Sequence, residues 1–176
     1  MAPAKEVIPI VVHPFGPLFS ERSRVLILGS FPSVKSREQQ FFYGHPQNRF
    51  WPVVAALFDR ETPRSIPEKR ELILSCHLAL WDSIASCEVT GSSDASIRDV
   101  RPNDLRVILD HAPIALICCN GRKSHEIYEK YIRPATGREA LCLPSTSPAN
   151  AQWSLAKLVA AWEIVRAAAE SDSHSF

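Results

Sequence analysis

The segment Arg24-Val25-Leu26-Ile27-Leu28-Gly29-Ser30-Phe31-Pro32-Ser33 sets the architecture of the chain, because an apolar run ends there in a short polar loop. Continuous apolar runs are typical of parallel strands that are buried on both faces. A second strand–loop pair, Leu143-Pro144-Ser145-Thr146-Ser147-Pro148-Ala149-Asn150, stands near the C-terminus. In open α/β sheets such loops meet at the carboxyl edge of the strands, where ligands bind. We therefore expect one crevice that is built from both loops.

Strands and helices alternate along the rest of the chain. We predict strands over residues 24–29, 78–83, 114–119 and 140–143, and helices over 49–58, 66–77, 102–110, 123–131 and 154–169. The remaining predictions are an edge segment, interrupted by proline, over 8–12 and loops over 30–48 and 88–99. The alternation favours an α/β fold, a three-layer α/β/α sandwich with a central four-stranded, mostly parallel sheet.

Length and composition indicate one globular domain. The 176 residues, 45% of them apolar and 22% charged, suit a single domain over 1–176, with a core over about 8–170 and frayed ends at 1–7 and 171–176. No apolar run approaches the roughly 18 residues of a membrane span, and no signal peptide is recognisable, so we expect an intracellular, cytoplasmic protein. A net charge of +1 argues against a broad nucleic-acid-coating surface but allows a grip on one extruded nucleotide.

The motifs of the common cofactor and metal enzymes are missing from the sequence. The five cysteines include no C-x-x-C pair, which leaves no zinc, iron–sulfur or disulfide framework. The G-x-G-x-x-G, P-loop, zinc-deaminase and G-x-S-x-G signatures are also absent. We predict no cofactor and no metal, and expect chemistry by a positioned water and hydrogen bonds.

The decapeptide Tyr43-Gly44-His45-Pro46-Gln47-Asn48-Arg49-Phe50-Trp51-Pro52 concentrates the polar and aromatic groups that would line such a crevice. A stacking ring, a carboxamide and a guanidinium in ten residues suit a pocket that holds a flat polar ring beside a water. The alternative is a core-packing loop in which Asn48 caps the next helix. Capping explains Asn48 alone and leaves Tyr43, His45 and Arg49 without a role.

Other polar residues follow the predicted strands. Asp82 borders the same crevice and could accept a hydrogen bond from a purine N–H, although a capping or solvated carboxylate is the alternative. The hydroxyls of residues 145–150 could meet a phosphate or a sugar, or could satisfy helix N-terminal donors instead. Asn120-Gly121-Arg122-Lys123 is either a strand–turn–helix connection or a phosphate contact. We interpret His13, His77 and His111 as structural, because their spacing does not suit metal ligation.

On these residues the chain resembles the uracil-DNA glycosylase superfamily over about residues 25–162. The segment 29–33 stands at the superfamily's first motif, the water-activating loop, and 145–150 at its second, the loop that presses on DNA near the lesion. The phrase His45-Pro46-Gln47-Asn48-Arg49-Phe50-Trp51 is similar to one in the mismatch-specific uracil glycosylases. The chain looks most like the hypoxanthine-DNA glycosylase branch, by the segments Leu80-Trp81-Asp82-Ser83-Ile84, Gly91-Ser92-Ser93-Asp94 and Ile97-Arg98-Asp99.

The resemblance implies a repair enzyme that flips deoxyinosine out of DNA and releases hypoxanthine, with Asn48 as the catalytic residue that holds a water. It also implies a partner DNA with a deaminated or mispaired base and a DNA-associated location. From the sequence itself we expect no metal, no membrane and a monomer, the last because no helix shows an obvious spare apolar face. The expected contacts to the base come from Phe31, Phe42, Tyr43 and Asp82. The expected contacts to the DNA backbone and adjoining loops come from Ser30, Ser33, His45, Ser145, Thr146, Ser147 and Asn150.

Two departures from the superfamily pattern bear on the substrate. Members that excise uracil carry Asp or Asn in the first motif, where this chain has Phe31 and Pro32. The second motif's usual His is replaced by Ser145, so the imidazole that stabilises a departing uracil anion is lost. The alternatives that stay open are excision of uracil, xanthine or an etheno-adduct, a non-catalytic lesion-binding module, and hydrolysis of free nucleosides.

Overall fold

The computed structural model describes residues 8–171, and its centre is a four-stranded parallel sheet. The strands are β1 (Ile10–Val12), β2 (Val25–Gly29), β3 (Leu78–Asp82), β4 (Ile84–Glu88), β5 (Arg98–Pro102), β6 (Leu116–Asn120) and β7 (Leu141–Leu143). The central sheet has the order β3-β2-β6-β7, and all five residues of β2 are buried. Val25 lies opposite Leu78 on one side and Leu116 on the other. The predicted three-layer α/β/α fold is confirmed.

Helices surround this sheet and fix its loops. They are α1 (Val34–Gln39), α2 (Phe50–Leu57), α3 (Ile66–Ser75), α4 (Arg106–Leu109), α5 (Arg122–Ile127), α6 (Arg133–Thr136) and α7 (Leu155–Glu170). Phe50 of α2 packs edge-on against the fully buried Trp162 of α7, with ring centroids 6.1 Å apart. The Trp162 Nε1–H donates to the Pro144 carbonyl at 2.9 Å. Helix α7 therefore anchors the loop that follows β7.

Helix α3 shows how local sequence sets an element's limits. The Ser65 hydroxyl accepts from the Glu68 N–H at 3.2 Å, and Pro67 stands in the first turn, as the sequence predicts. The helix ends at Ser75, two residues earlier than predicted. His77 adopts a left-handed backbone with a φ of 58°, which an α-helix cannot continue through.

Three predicted segments differ in the structure. The predicted loop over 30–48 contains α1, which Ser33 caps by accepting from the Ser36 N–H at 3.2 Å. The predicted helix over 102–110 shrinks to α4. The predicted helix over 123–131 becomes α5, a π-helical turn (Tyr128–Ile132) and α6, where Pro134 interrupts the regular backbone ladder. Residues 1–7 and 172–176, predicted to be frayed, lie outside the described residues.

A second sheet of order β1-β4-β5 is antiparallel and was not predicted. The edge segment expected over 8–12 is its edge strand β1, whereas the loop expected over 88–99 holds the end of β4, a 3₁₀ turn (Asp94–Ser96) and the start of β5. Only Ser83 separates β3 from β4, so the chain passes directly from one sheet to the other. Within residues 8–171 no helix is long and apolar enough to span a membrane.

Candidate active site

A cleft of about 320 Å³ opens at the carboxyl edge of the parallel sheet. The ends of β2, β3 and β6 form its floor, and the loops after β2 and β7 form its walls. All but one of the predicted site residues line it: Asn48, Phe31, Phe42, Tyr43, Asp82, Ser30, Ser33, His45, Ser145, Thr146 and Ser147. Segments far apart in sequence thus meet at one edge, which is where a doubly wound sheet binds its ligands.

Asn48 is held by its side-chain oxygen. Its Oδ1 accepts from the Phe50 N–H at 2.9 Å and from the Thr146 hydroxyl at 2.8 Å. Thr146 is fully buried, and its own hydroxyl accepts from Asn120 Nδ2 at 3.0 Å while its N–H donates to Asn120 Oδ1 at 3.0 Å. Because a backbone N–H can only donate, this chain of bonds fixes the orientation of both amides. The Asn48 Nδ2 has no hydrogen-bond partner in the described part of the chain.

Asn120 is a cleft residue that the sequence places only in a turn with an undecided role. It ends β6, and Gly121 follows it with a φ of 96°. A Cβ at Gly121 would lie 3.0 Å from the Ser145 Cβ, so the turn lets the two loops approach closely. In the sequence, the feature that could have indicated a cleft position for Asn120 is its place at the end of a predicted strand, directly before a glycine.

Asp82 forms the polar floor of the cleft and is 4% exposed. Its Oδ2 lies 2.6 Å from Nε2 of His13, whose side chain is also buried. The Asn103 Nδ2–H donates to the Asp82 carbonyl at 2.8 Å. A Cβ on Gly29 would stand only 2.3 Å from Asp82 Oδ1, so the carboxylate rests directly on the β2 backbone. His13, which we interpret from the sequence as structural, contacts Asp82, a residue predicted to bind the base.

The Tyr43 ring is packed inside the protein and is not free on both faces to stack on a base. Its ring stacks on Phe50 with centroids 3.9 Å apart, and its hydroxyl is buried with no hydrogen-bond partner in the structure described. Burial, with the nearby Asp82 carboxylate, raises the pKa of this phenol, so it stays a donor. Its backbone has a φ of 51°, a strained value for an aromatic residue.

The two phenylalanines differ in exposure. Phe42 is 3% exposed and packs edge-on against Phe15, with centroids 4.8 Å apart. Phe31 is only half-buried, and its ring carries the Arg37 guanidinium 5.5 Å from the centroid. Phe31 is therefore the more available surface for a flat base.

Arg49 braces the second loop and is absent from the cleft lining. Its guanidinium donates to the carbonyls of Ser147 and Asn150 at 3.2 and 3.0 Å, and to the carbonyl of Trp153. Asn150, predicted to contact DNA, also lies outside the cleft. Its Nδ2 donates to the Ser145 carbonyl at 2.9 Å, which stabilises the turn from within. Both polar side chains hold the loop's shape.

The connection between β4 and β5 adds a second carboxylate to the cleft. The Ser30 hydroxyl donates to Asp94 Oδ1 at 2.9 Å, and the Val34 N–H donates to the Ser92 hydroxyl at 2.9 Å. Partial burial raises the pKa of the Asp94 carboxyl above its usual value, although the Ser30 hydrogen bond opposes it. The sequence gives Asp94 no role, although Gly91-Ser92-Ser93-Asp94 contributes to the family resemblance. In the described residues no cluster of metal-binding side chains occurs.

The fold and the cleft together define a uracil-DNA glycosylase-like protein. The model of the uracil DNA glycosylase superfamily matches residues 17–167, and the chain belongs to that superfamily. It is similar to the hypoxanthine DNA glycosylase of Methanosarcina acetivorans, with 36% identity over 142 residues that cover 80% of this chain and 89% of the relative. It is also similar to the hypoxanthine DNA glycosylase of Methanosarcina barkeri, with 34% identity over 138 residues, 77% of this chain and 86% of the relative.

A solved structure shows the same fold. A solution NMR structure from Methanosarcina acetivorans, whose name assigns it to the uracil DNA glycosylases, superposes with a TM-score of 0.76 and 33% identity. The match covers 89% of this chain and 97% of that one. The family resemblance of the sequence is therefore confirmed, while the roles of the individual site residues stay predictions.

Proposed function

We propose that the protein is a monofunctional DNA glycosylase that flips deoxyinosine out of DNA and hydrolyses its N-glycosidic bond to release hypoxanthine. The observation that carries this proposal is the single cleft in which Asn48, Asp82 and Phe31 meet. The names of the two Methanosarcina relatives, which match about four fifths of the chain, support the same substrate. Flipping costs a few kcal/mol and costs least for a mispaired base, which favours a deaminated purine.

The reaction needs no covalent enzyme intermediate. The bond between the sugar C1′ and the purine N9 stretches and breaks, and its electron pair leaves with the base. Water then attacks the oxocarbenium-like C1′ and loses a proton to solvent in the open cleft, while the purine anion takes up a proton. Hypoxanthine leaves more easily than adenine, because its anion is the weaker base.

Asn48 acts in this proposal by orientation. A carboxamide is too weak a base to ionise water, so its contribution is positioning and dipole stabilisation. Because both lone-pair directions of its Oδ1 are occupied by Phe50 and Thr146, the group that remains for the cleft is the Nδ2–H donor. A water that accepts this bond keeps a second lone pair for C1′. Orientation of the water by Asn48 is enough for hydrolysis when the glycosidic bond breaks before the water attacks, because the nucleophile then needs little activation.

Three cleft residues weigh against strong uracil excision. The first-motif positions Phe31 and Pro32 carry no group that can orient a water, and Ser145 offers a hydroxyl in place of an imidazole. A uracil anion would therefore leave with less assistance. Uracil, xanthine and etheno-adducts belong in the substrate panel as competitors of deoxyinosine.

The test is a single-turnover assay on a duplex that contains one deoxyinosine, with hypoxanthine measured by chromatography. We expect Asn48→Ala to slow release by about 100- to 1,000-fold, the usual cost of losing one preorganised donor. Asn48→Asp is the matched variant, because a carboxylate keeps both accepted bonds and removes only the N–H. We expect it to fold like the wild type, by circular dichroism, and to be similarly slow.

Four results would contradict the assignment. Full activity of folded Asn48→Ala would remove its catalytic role, and full activity of Asn48→Asp would show that the oxygen acts. Binding of lesion DNA by the wild type without base release would favour a non-catalytic lesion-binding module. Hydrolysis of free deoxyinosine at the rate on DNA would favour a nucleoside hydrolase.

A further inference from the structure

The buried pair of His13 and Asp82 joins a segment that carries the family resemblance to a residue outside the matched span. His13 precedes residues 17–167, the span that the superfamily model matches. Yet its Nε2 lies 2.6 Å from Asp82 Oδ2, with 4% and 6% of the two side chains exposed. Burying two polar side chains against each other is costly unless their bond is well formed.

The second sheet delivers His13 to this position. Strand β1 pairs antiparallel with β4, with Val12 opposite Ser86. The His13 N–H then donates to the Ala85 carbonyl at 2.8 Å. The imidazole packs edge-on against Phe15 and Phe31, with centroids 4.5 and 6.0 Å away. The ring is thus fixed by backbone pairing and by aromatic contacts before any ligand binds.

The hydrogen bonds also fix the tautomer of His13. The Phe15 N–H points at Nδ1 from 3.4 Å, and a backbone N–H can only donate. Nδ1 is then the acceptor, the proton sits on Nε2, and Nε2–H donates to the carboxylate. Asp82 Oδ2 is therefore occupied by a donor, which leaves Oδ1, the oxygen that lies beside Gly29, as the acceptor without a hydrogen bond in the described residues.

Next to this free oxygen stands the unpartnered hydroxyl of Tyr43. Both atoms lie near Gly29: a Cβ added to Gly29 would stand 2.3 Å from Asp82 Oδ1 and 3.4 Å from the Tyr43 hydroxyl oxygen. An acceptor and a donor are thus held side by side at the cleft floor. The matching ligand is a lactam edge, a carbonyl beside a ring N–H. Hypoxanthine presents this edge as O6 and N1–H, whereas adenine presents the reverse pattern, a donor amine beside an acceptor nitrogen.

We propose that His13 is a positioning residue that holds Asp82 as a hydrogen-bond acceptor, so that Asp82 and Tyr43 together select a flipped base with a lactam edge over adenine. The inference rests on the proposed function for its ligand, a base extruded from DNA. Guanine shares the lactam edge, but it is paired in normal duplex and flips at a higher cost. The pair therefore separates a deaminated purine from its parent adenine.

The experiment measures binding without cleavage. Duplexes that carry 2′-fluoro-2′-deoxyinosine or 2′-fluoro-2′-deoxyadenosine resist glycosidic hydrolysis, and fluorescence anisotropy gives the ratio of their affinities. His13→Phe keeps the ring volume and removes the donor. We expect it to lower the deoxyinosine preference about 10- to 100-fold, as loss of a charge-assisted bond implies. His13→Gln restores an N–H donor and is expected to recover most of the preference.

A double-mutant cycle separates this role from mere packing. In Asp82→Asn, the Nε2–H of His13 donates to the oxygen of the new amide, so the amide NH₂ takes the position of Oδ1. That NH₂ is a donor and would face the N1–H donor of hypoxanthine. We expect this variant to lose the preference, and His13→Phe to lower it no further in that background. The proposal would be overturned if His13→Phe lowered the deoxyinosine preference equally in the wild-type and the Asp82→Asn backgrounds. It would also be overturned if His13→Phe weakened binding of the deoxyinosine and deoxyadenosine probes equally.

The outcomes for the two proposals are distinguishable. If the wild-type protein prefers the deoxyinosine probe but releases no base from a cleavable duplex, this inference stands and the proposed glycosylase activity is wrong. If it releases hypoxanthine but shows no preference between the two probes, the glycosylase activity stands and this inference is wrong. If His13→Phe does not fold, the His13→Gln and Asp82→Asn variants carry the comparison.

Discussion

Gly29→Ala places a methyl group at the most crowded point of the cleft floor. The new Cβ would stand 2.3 Å from Asp82 Oδ1 and 3.4 Å from the Tyr43 hydroxyl. The backbone cannot retreat, because β2 pairs with a strand on each side and Gly29 itself lies opposite Asp82. The carboxylate must therefore move by about 1 Å to reach an ordinary contact distance.

The cost of this movement has two parts. Overpacking a rigid core costs about 1–3 kcal/mol. Displacing Asp82 also breaks its 2.6 Å hydrogen bond with His13, worth about 1.5–3 kcal/mol because one partner is charged. We expect the free energy of unfolding to fall by about 3–5 kcal/mol. At about 2–4 °C per kcal/mol for a chain of this length, the Tm falls by roughly 6–20 °C.

Thermal and urea denaturation, followed by circular dichroism, measure the change. Gly16→Ala is the matched control, since no atom lies within 4 Å of its added Cβ, and we expect its stability to change by less than about 0.5 kcal/mol. Below its Tm, Gly29→Ala should also bind the deoxyinosine probe more weakly than the wild type. Wild-type stability and binding in Gly29→Ala would refute the placement of Asp82 against the β2 backbone.

Three further experiments test other parts of the molecule. Arg49→Lys should lower the free energy of unfolding by about 1–3 kcal/mol in urea denaturation, because a compact ammonium cannot span the three carbonyls that the planar guanidinium reaches, and an unchanged midpoint would contradict this. Tyr43→Phe should weaken binding of the deoxyinosine probe by about 2- to 10-fold, the value of one neutral hydrogen bond, with deoxyadenosine binding unaffected. Iodoacetamide at pH 8 should modify only the exposed Cys142 in the native protein, by mass spectrometry, whereas burial raises the pKa of Cys118 to about 12. Modification of native Cys118 would contradict its burial.

The parallel sheet could be predicted because its signals are local. The run through β2 is apolar without interruption, as a strand covered on both faces requires. Helix α3 carries its own cap in Ser65 and its own first-turn proline. The cleft followed from these strands, since polar residues after parallel strands must share one edge of the sheet.

The second sheet, and the His13–Asp82 contact that it creates, depend on tertiary contacts that cannot be predicted from local sequence patterns. Strand β5 is largely exposed and reads Arg-Asp-Val-Arg-Pro, so it lacks the alternation of a half-buried strand. His13 meets Asp82 across 69 positions of sequence, and only the pairing of β1 with β4 brings them together. Tyr43 was interpreted as a stacking ring because its stacking on Phe50, a tertiary contact, is not visible in the sequence.

The three residues of β1 carry more weight than their length suggests. The superfamily model begins its match at residue 17, so a shortened protein cut to that start would keep every recognised motif. Such a truncation would nonetheless discard β1 and, with it, the imidazole that reaches Asp82. From the proposed role of His13, we expect that deletions or fusions at the amino terminus perturb base discrimination while Asn48 and the cleft loops remain intact.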